Sequence, residues 1–227
     1  MAITAEPGLH GEVHEDKKIA DWIIGGSLGE AVAAGFAITL AIIGLADMMP
    51  ITMASITTIA LGISLLFQGG AVASRFSALI SESTQGEMDL TDFGEGVSVE
   101  FIAGTCGITL GILSLLDIVP FILLPIAAIV FGGALILATG VNVRLNAIRI
   151  TRTTDSEMAR KIAREMVMAA SGVQLLIGLG AIILGILGIL EIETITLCLI
   201  AFLSLGFSAF LSSTAVTARM IGAFHRY

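Results

Sequence analysis

Three stretches of eighteen residues decide the fold, and each ends in an acidic residue: EAVAAGFAITLAIIGLAD (30–47), EFIAGTCGITLGILSLLD (100–117) and QLLIGLGAIILGILGILE (174–191). In this register the first and second stretches share eight identities, and the second and third share seven. The register continues past the acids, because a glycine follows each of them after fifteen residues, at Gly62, Gly132 and Gly206. Self-similarity of this kind indicates an architecture of repeated units. The chain therefore contains three copies of one unit.

Each copy has the pattern of a helical hairpin, with one apolar helix on either side of a short turn. The spacing predicts odd-numbered helices near 27–47, 97–117 and 168–190, and even-numbered helices near 50–75, 120–144 and 194–218. Pro50 and Pro120 lie three residues after the acids, where proline suits the first turn of a new helix. We expect Thr194 to act as the N-cap in the third copy, and Ser27 with Glu30 to form a capping box before the first helix.

The composition places these hairpins in a membrane. Of 227 residues, 56% are hydrophobic and 13% are charged, and the mean hydropathy is +1.00, whereas soluble domains have about 25% charged residues. Three tracts without Lys or Arg, 19–74, 76–143 and 165–218, each have room for two spans of roughly 20 residues. We predict an all-α integral membrane protein of six transmembrane helices, arranged as three hairpin repeats of like orientation. The repeats cover 27–80, 97–150 and 171–224, after an N-terminal tail (1–26).

The positive charges predict the orientation of the chain in the membrane. All eleven Lys and Arg residues lie outside the three short turns that follow the odd helices. Cytoplasmic loops carry the excess of positive charge in membrane proteins. Both termini and the two longer loops should therefore face the cytoplasm, as in a multi-pass membrane protein.

The acids that end the three stretches are the first set of candidate site residues. Repeat symmetry places Asp47, Asp117 and Glu191 at one depth near the outer face. One interpretation is a ring of carboxylates that attracts cations or senses protons. The other interpretation is structural: each carboxylate accepts hydrogen bonds from the N–H groups that open the next helix.

A second set lies seventeen residues before those acids, at Glu30, Glu100 and Gln174. At 1.5 Å per residue these side chains lie roughly 25 Å from the outer turns, near the inner boundary of the hydrocarbon. Ionisable residues inside a membrane are functional candidates. In the structural interpretation Glu30 caps its own helix, and Glu100 forms a packing hydrogen bond with Gln68, Asn142 or a neighbouring helix.

The small residues of the odd helices predict close helix packing in lipid, either within the chain or between subunits. The pattern includes Gly107 with Gly111 on the third helix, and Gly178 with Gly185 on the fifth. The segment EMARKIAREM (157–166) should form a cytoplasmic extension of the fifth helix. Its basic residues are candidates for contact with lipid headgroups or a partner protein: Arg160, Lys161 and Arg164.

No pattern in the sequence indicates a catalytic centre, a cofactor site or a metal site. The three histidines lie in the terminal tails, and the two cysteines, Cys106 and Cys198, lie inside apolar helices without a CxxC motif. Phosphate-binding, dinucleotide-binding and hydrolase motifs are missing, and no basic patch suggests binding to nucleic acid. We therefore expect a protein that is not an enzyme.

The repeat motif resembles the short hydrophobic repeat of HdeD-type acid-resistance membrane proteins. The residues that carry the resemblance are ITLAIIGLADMMP (38–50) with IALGISLLFQGGAVASR (59–75), and ITLGILSLLDIVP (108–120) with VFGGALILATGVNVR (130–144). The third copy lacks the proline and matches least well. The resemblance implies six spans and a non-enzymatic inner-membrane protein linked to acid stress, without catalytic residues to carry over.

Three functions are then open for the chain. The leading hypothesis is a structural or stress-related membrane protein that forms a homo-oligomer. The first alternative is a channel or transporter for a small solute or ion that uses the carboxylate rings, although the odd helices offer only Thr39, Thr105 and Thr109 to line a path. The second alternative is the membrane anchor of a larger complex, with the loop 145–165 as its docking surface.

Overall fold

Six helices in three antiparallel hairpins make up the described part of the chain. A computed structural model describes residues 28–82, 90–153 and 157–224, and within them the side chains of 28–70, 99–140, 169 and 171–213. The helices are α1 (Leu28–Leu45), α2 (Pro50–Glu82), α3 (Leu90–Leu115), α4 (Pro120–Thr153), α5 (Glu157–Ile189) and α6 (Thr194–Phe224). The described residues contain no strand, which confirms the predicted all-α fold.

The apolar lengths of the helices fit a membrane. Five helices contain an apolar segment long enough to cross the hydrocarbon: Leu28–Leu45, Pro50–Gly70, Pro120–Gly140, Ser171–Ile189 and Thr194–Ser213. The apolar part of α3, Val99–Leu115, is shorter and covers about 25 Å at 1.5 Å per residue. Large apolar side chains cover the outside of the bundle, including Val32, Ile102 and Leu176 with 72%, 64% and 68% exposure. Such a surface belongs in lipid, since a soluble protein does not expose a continuous apolar surface of this extent.

The helices extend further than predicted at the end opposite the acidic turns. α2 continues to Glu82, α4 to Thr153 and α6 to Phe224, because the basic residues after each apolar segment mark the edge of the hydrocarbon and not the end of the helix. α5 begins at Glu157, as the predicted extension requires. The predicted tail (1–26) and the capping serine Ser27 lie outside the described residues.

The three turns share one backbone conformation. Asp47, Asp117 and Glu191 have φ angles of 63°, 62° and 61°, in the left-handed region. In the second turn the N–H of Asp117 donates to the carbonyl of Ser114 (3.0 Å), and that of Ile118 donates to the carbonyl of Leu113 (3.1 Å). The other two turns repeat both bonds. This pattern is the Schellman motif that ends a helix. Each acid therefore terminates an odd helix.

The even helices begin directly after these motifs. Pro50 and Pro120 are the first helical residues of α2 and α4, as predicted for proline. Thr194 takes the same position in α6, and its hydroxyl donates to the carbonyl of Gly188 (2.9 Å) near the end of α5. The predicted N-cap role of Thr194 is therefore wrong, because the hydroxyl acts as a donor to the preceding helix instead of accepting from its own.

The closest helix contacts join each hairpin to the next. A Cβ atom added at Gly62 of α2 would lie 2.7 Å from the carbonyl oxygen of Gly104 in α3. One added at Gly132 of α4 would lie 2.5 Å from the carbonyl oxygen of Gly178 in α5. Because these four glycines lack a Cβ, the two backbones can approach closely in an environment where the hydrophobic effect does not drive helices together. The packing of these small residues is internal to the chain.

The same contact closes the ring between the third hairpin and the first. Gly206 of α6 lies opposite Ile38 and the carbonyl of Ala34 in α1, at 3.1 Å and 3.6 Å from an added Cβ. Ile108 and Ile182 take the place of Ile38 at the other two junctions. The three junctions are therefore equivalent in register, which gives the bundle a pseudo-threefold axis along the helices and places all three turns at one end.

Candidate functional site

The axis of the bundle is lined by the even helices and packed with side chains. Leu124, Phe131 and Phe202 are at most 2% exposed. The rings of Phe131 and Phe202 meet edge to face, with centroids 6.3 Å apart. Cys198 is also buried here, where it packs as a small hydrophobe. The axis therefore has a solid core over this region and not the polar lining of a conduit.

The threonines that would line a channel face outwards. Thr39, Thr105 and Thr109 are exposed on the outside of the bundle. Each hydroxyl donates to the carbonyl four residues earlier in its own helix at 2.9 Å. This is the usual way in which a helix satisfies a hydroxyl in lipid. These side chains contribute nothing to a path through the protein.

The acidic turns form an exposed surface at one end of the bundle. The side chains of Asp47, Asp117 and Glu191 are exposed, as is that of Glu193. Among the described residues, no N–H group at the start of the next helix donates to these carboxylates. The carbonyls of Met49, Val119 and Glu193 accept the first bonds of the even helices. The capping interpretation of the three acids is therefore wrong: their structural role lies in the backbone, at the position that ends the odd helix.

The second set of candidates lies in a polar layer near the other end of the apolar segments. Gln174 shows how this layer works, because its amide joins three helices. Its Nε2 donates to the hydroxyl of Ser212 in α6 (2.7 Å). Its Oε1 lies 3.4 Å from the hydroxyl of Thr139 in α4, which shares its proton with the carbonyl of Leu135 (2.6 Å). The side chain thus forms a bridge that links the second and third hairpins.

Glu100 occupies the equivalent position in the second hairpin but meets different neighbours. The residues equivalent to Thr139 and Ser212 are Gly69 and Ala138, which have no polar side chain. Glu100 is 2% exposed, and its Oε2 has no hydrogen-bond partner among the described residues. The expected bond to Gln68 is not formed. A buried carboxylate without a donor costs free energy in an apolar environment, so Glu100 is the strongest functional candidate among the six acids and amides predicted.

Glu30 lies in the equivalent position of the first hairpin and is also buried, with 5% exposure. Its backbone carbonyl accepts a hydrogen bond from the hydroxyl of Ser64 in α2 (3.4 Å). The burial shows that Glu30 belongs to the interior of the bundle, and its predicted capping partner Ser27 lies outside the described residues. The other predicted partner of Glu100, Asn142, has no described side chain.

A small cavity lies on the axis beside this layer. It has a volume of about 20 Å³ and is lined by Ser64 and Gln68 of α2, Ser212 of α6 and apolar side chains. Ser64 and Gln68 are 1% and 9% exposed. These residues were not predicted as a group. The signal is present in the register, because the polar residues lie seventeen and twenty-one positions after the acid, on the inner face of an apolar helix.

The remaining candidates are the basic residues of the α5 extension and the side chains that could bind a metal ion. The backbone of α5 carries Arg160, Lys161 and Arg164 along its extension, and their side chains lie outside those described. Among the described residues, no three His, Cys, Asp or Glu side chains lie close enough together to hold a metal ion. Both cysteines are free thiols, with Cys106 exposed on the outside of the bundle.

No protein-family model matches the chain, and no curated protein and no solved structure matches it either.

Proposed function

We propose that the chain is a non-catalytic multi-pass protein of the inner membrane, related to the HdeD type, with a structural or acid-stress role that it performs as a homo-oligomer. The observation that carries the proposal is the packed axis: Phe131, Phe202 and Leu124 fill the space between the even helices. Because these side chains fill the axis where it is described, the protein is proposed to act through its surfaces. The surfaces on offer are an apolar flank, an acidic end and the helical extensions at the opposite end.

Reconstitution into liposomes tests this proposal against the channel. We expect proton and potassium flux to equal that of empty liposomes, because the axis is filled. Flux above this level that is lost in the double variant Asp47→Asn with Asp117→Asn would overturn the proposal in favour of a channel. Native mass spectrometry from detergent should show more than one copy of the chain and no other protein; a monomer would contradict the oligomeric part.

The acid-stress role needs a separate test in cells. Deletion of the gene should lower survival after a shift to acid and leave growth at neutral pH unchanged. The orientation is tested by labelling single cysteines in the outer turns, at Met48→Cys and Ile118→Cys, whose native side chains are 63% and 47% exposed. We expect a membrane-impermeant thiol reagent to label both from outside the cell. Labelling only from inside would reverse the proposed topology.

The long extensions at the basic end favour a membrane anchor as the second candidate. α4 continues thirteen residues past Gly140, which adds about 20 Å of helix, and α5 begins fourteen residues before Ser171. Such a projection offers a docking surface for a cytoplasmic protein. A partner that co-purifies with the wild type and is lost after charge reversal at Arg160, Lys161 and Arg164 would establish this function.

A further inference from the structure

The cavity on the axis exists because one position departs from the repeat symmetry. Leu65 and Leu135 lie eighteen residues after their acids, and the equivalent residue in the third copy is Ala209. All three line the cavity. The missing leucine leaves a volume of about 20 Å³, and a cavity needs about 10–15 Å³ to hold one water molecule.

The polar groups around this space are buried and incompletely bonded. Gln68 is 9% exposed, and no hydrogen bond joins its amide to another described residue. The hydroxyl of Ser212 accepts from Gln174, and its own proton has no described acceptor. The hydroxyl of Ser64 donates to the carbonyl of Glu30, so its lone pairs remain open. The amide of Gln68 is therefore accessible and unbonded beside the cavity, and polar groups in protein interiors bind protein atoms or ordered water in more than about 90% of cases.

We propose that the cavity binds an ordered water molecule that connects Ser64, Gln68 and Ser212. The water accepts the proton of Ser212, donates to the oxygen of Ser64 and exchanges a hydrogen bond with the amide of Gln68. These are the three bonds that a buried water usually makes. None of the described residues that line the cavity carries a carboxylate, so the site suits a neutral ligand better than a cation.

The water completes a polar network across the bundle. On one side, Ser212 continues to Gln174 and Thr139, which belong to α5 and α4. On the other side, Ser64 continues to the backbone of Glu30 in α1. One water molecule therefore connects five of the six helices at a single depth. It supplies, between the first and third hairpins, the link that Gln174 supplies between the second and third.

The water is tested by NMR on protein with ¹⁵N-labelled glutamine in lipid bilayers. The chain contains three glutamines, Gln68, Gln85 and Gln174, so few side-chain amide signals need assignment. We expect a cross-peak between bound water and the Gln68 amide. The variant Ala209→Leu restores the leucine of the other copies, fills the cavity and should abolish this cross-peak. The Gln174 amide signal should stay in place and serve as the control for an intact bundle.

Thermal unfolding of the same variant separates a hydrated cavity from an empty one. If water fills the cavity, Ala209→Leu leaves Gln68 without a partner and lowers Tm by about 4 °C, and adding Gln68→Leu reverses the loss. If the cavity is empty, Ala209→Leu raises Tm on its own, which would overturn the proposal. The smaller substitution Ala209→Val gives the same two readouts if leucine prevents folding. A cross-peak that disappears when choline replaces sodium and potassium would show a cation instead.

Discussion

The substitution Gly132→Ala tests whether direct backbone contact holds neighbouring hairpins together. The added methyl group would lie 2.5 Å from the carbonyl oxygen of Gly178 and 3.0 Å from Cγ1 of Ile182. The carbonyl belongs to the backbone of α5 and cannot turn away, so α4 and α5 must separate by about 1 Å. A radial gap of about 0.5–1 Å loses a quarter to a half of the dispersion energy at a contact.

The expected cost lies near the middle of the range for overpacked cores, at about 2 kcal/mol. For a chain of this size, about 1 kcal/mol shifts Tm by about 2–4 °C, so Gly132→Ala should lower Tm by about 4–8 °C. Unfolding is followed in detergent by circular dichroism, and by the reaction of a thiol dye with Cys198, which is fully buried in the fold. The exposed Cys106 is replaced by serine in all proteins compared.

Two matched variants supply the controls. At Gly206, the equivalent position of the third copy, an added methyl group would meet the Ile38 side chain at 3.1 Å and the Ala34 carbonyl at 3.6 Å, so Gly206→Ala should change Tm by less than about 2 °C. At Gly133 an added Cβ meets nothing within 4 Å, and Gly133→Ala should be neutral or slightly stabilising. The reasoning fails if Gly206→Ala costs as much as Gly132→Ala, or if Gly132→Ala leaves Tm unchanged.

Three further substitutions test the turns and the polar layer by the same assay. Asp117→Gly should raise Tm by about 2–4 °C, because glycine adopts the left-handed conformation without strain; a fall in Tm would show that the carboxylate itself stabilises the turn. Glu100→Gln should leave Tm unchanged or raise it, since a neutral amide is less costly to bury than a carboxylate. Gln174→Leu should lower Tm by about 2–4 °C, because it removes two bonds that bridge helices. A larger loss of Tm in Glu100→Gln than in Gln174→Leu would refute the assignment of Glu100 as a residue without a partner. Thr194→Pro should retain the helix start, as in the first two copies. Thr194→Val should lower Tm by about 2 °C through the loss of the bond to Gly188; an unchanged Tm in Thr194→Val would show that this bond is unimportant.

The hairpins and their register were predictable because they depend on local sequence signals. Apolar length identifies the spans, and Pro50 and Pro120 mark where the even helices begin. The predicted ends of α2, α4 and α6 were wrong, because a basic residue ends the membrane segment but leaves the backbone free to continue as a helix. Sequence alone locates the edge of the hydrocarbon there and not the last hydrogen bond of the helix.

The role of Asp47, Asp117 and Glu191 was not predicted, because two different structural roles give the same sequence pattern. An aspartate before a proline suits an N-cap, and it also suits the left-handed residue that ends the previous helix. The φ angle of about 62° at Asp117 and the backbone hydrogen bonds of the turn distinguish these roles. Likewise, the difference between Glu100 and Gln174 depends on Gly69 and Thr139, and those neighbours belong to another hairpin. Contacts between distant segments of this kind have no local signature.

The ring of hairpins has a consequence for how the protein is made. The close contacts lie between successive hairpins, so a hairpin that enters the membrane gains its main partner only when the next one arrives. α1 can form its contact only after α6 has entered the membrane, because α1 packs against α6. That final junction is also the loosest of the three, since Ala34 holds the α6 backbone further away than a glycine would. During biogenesis, and under mechanical or thermal stress, the bundle should open first at the junction between α1 and α6.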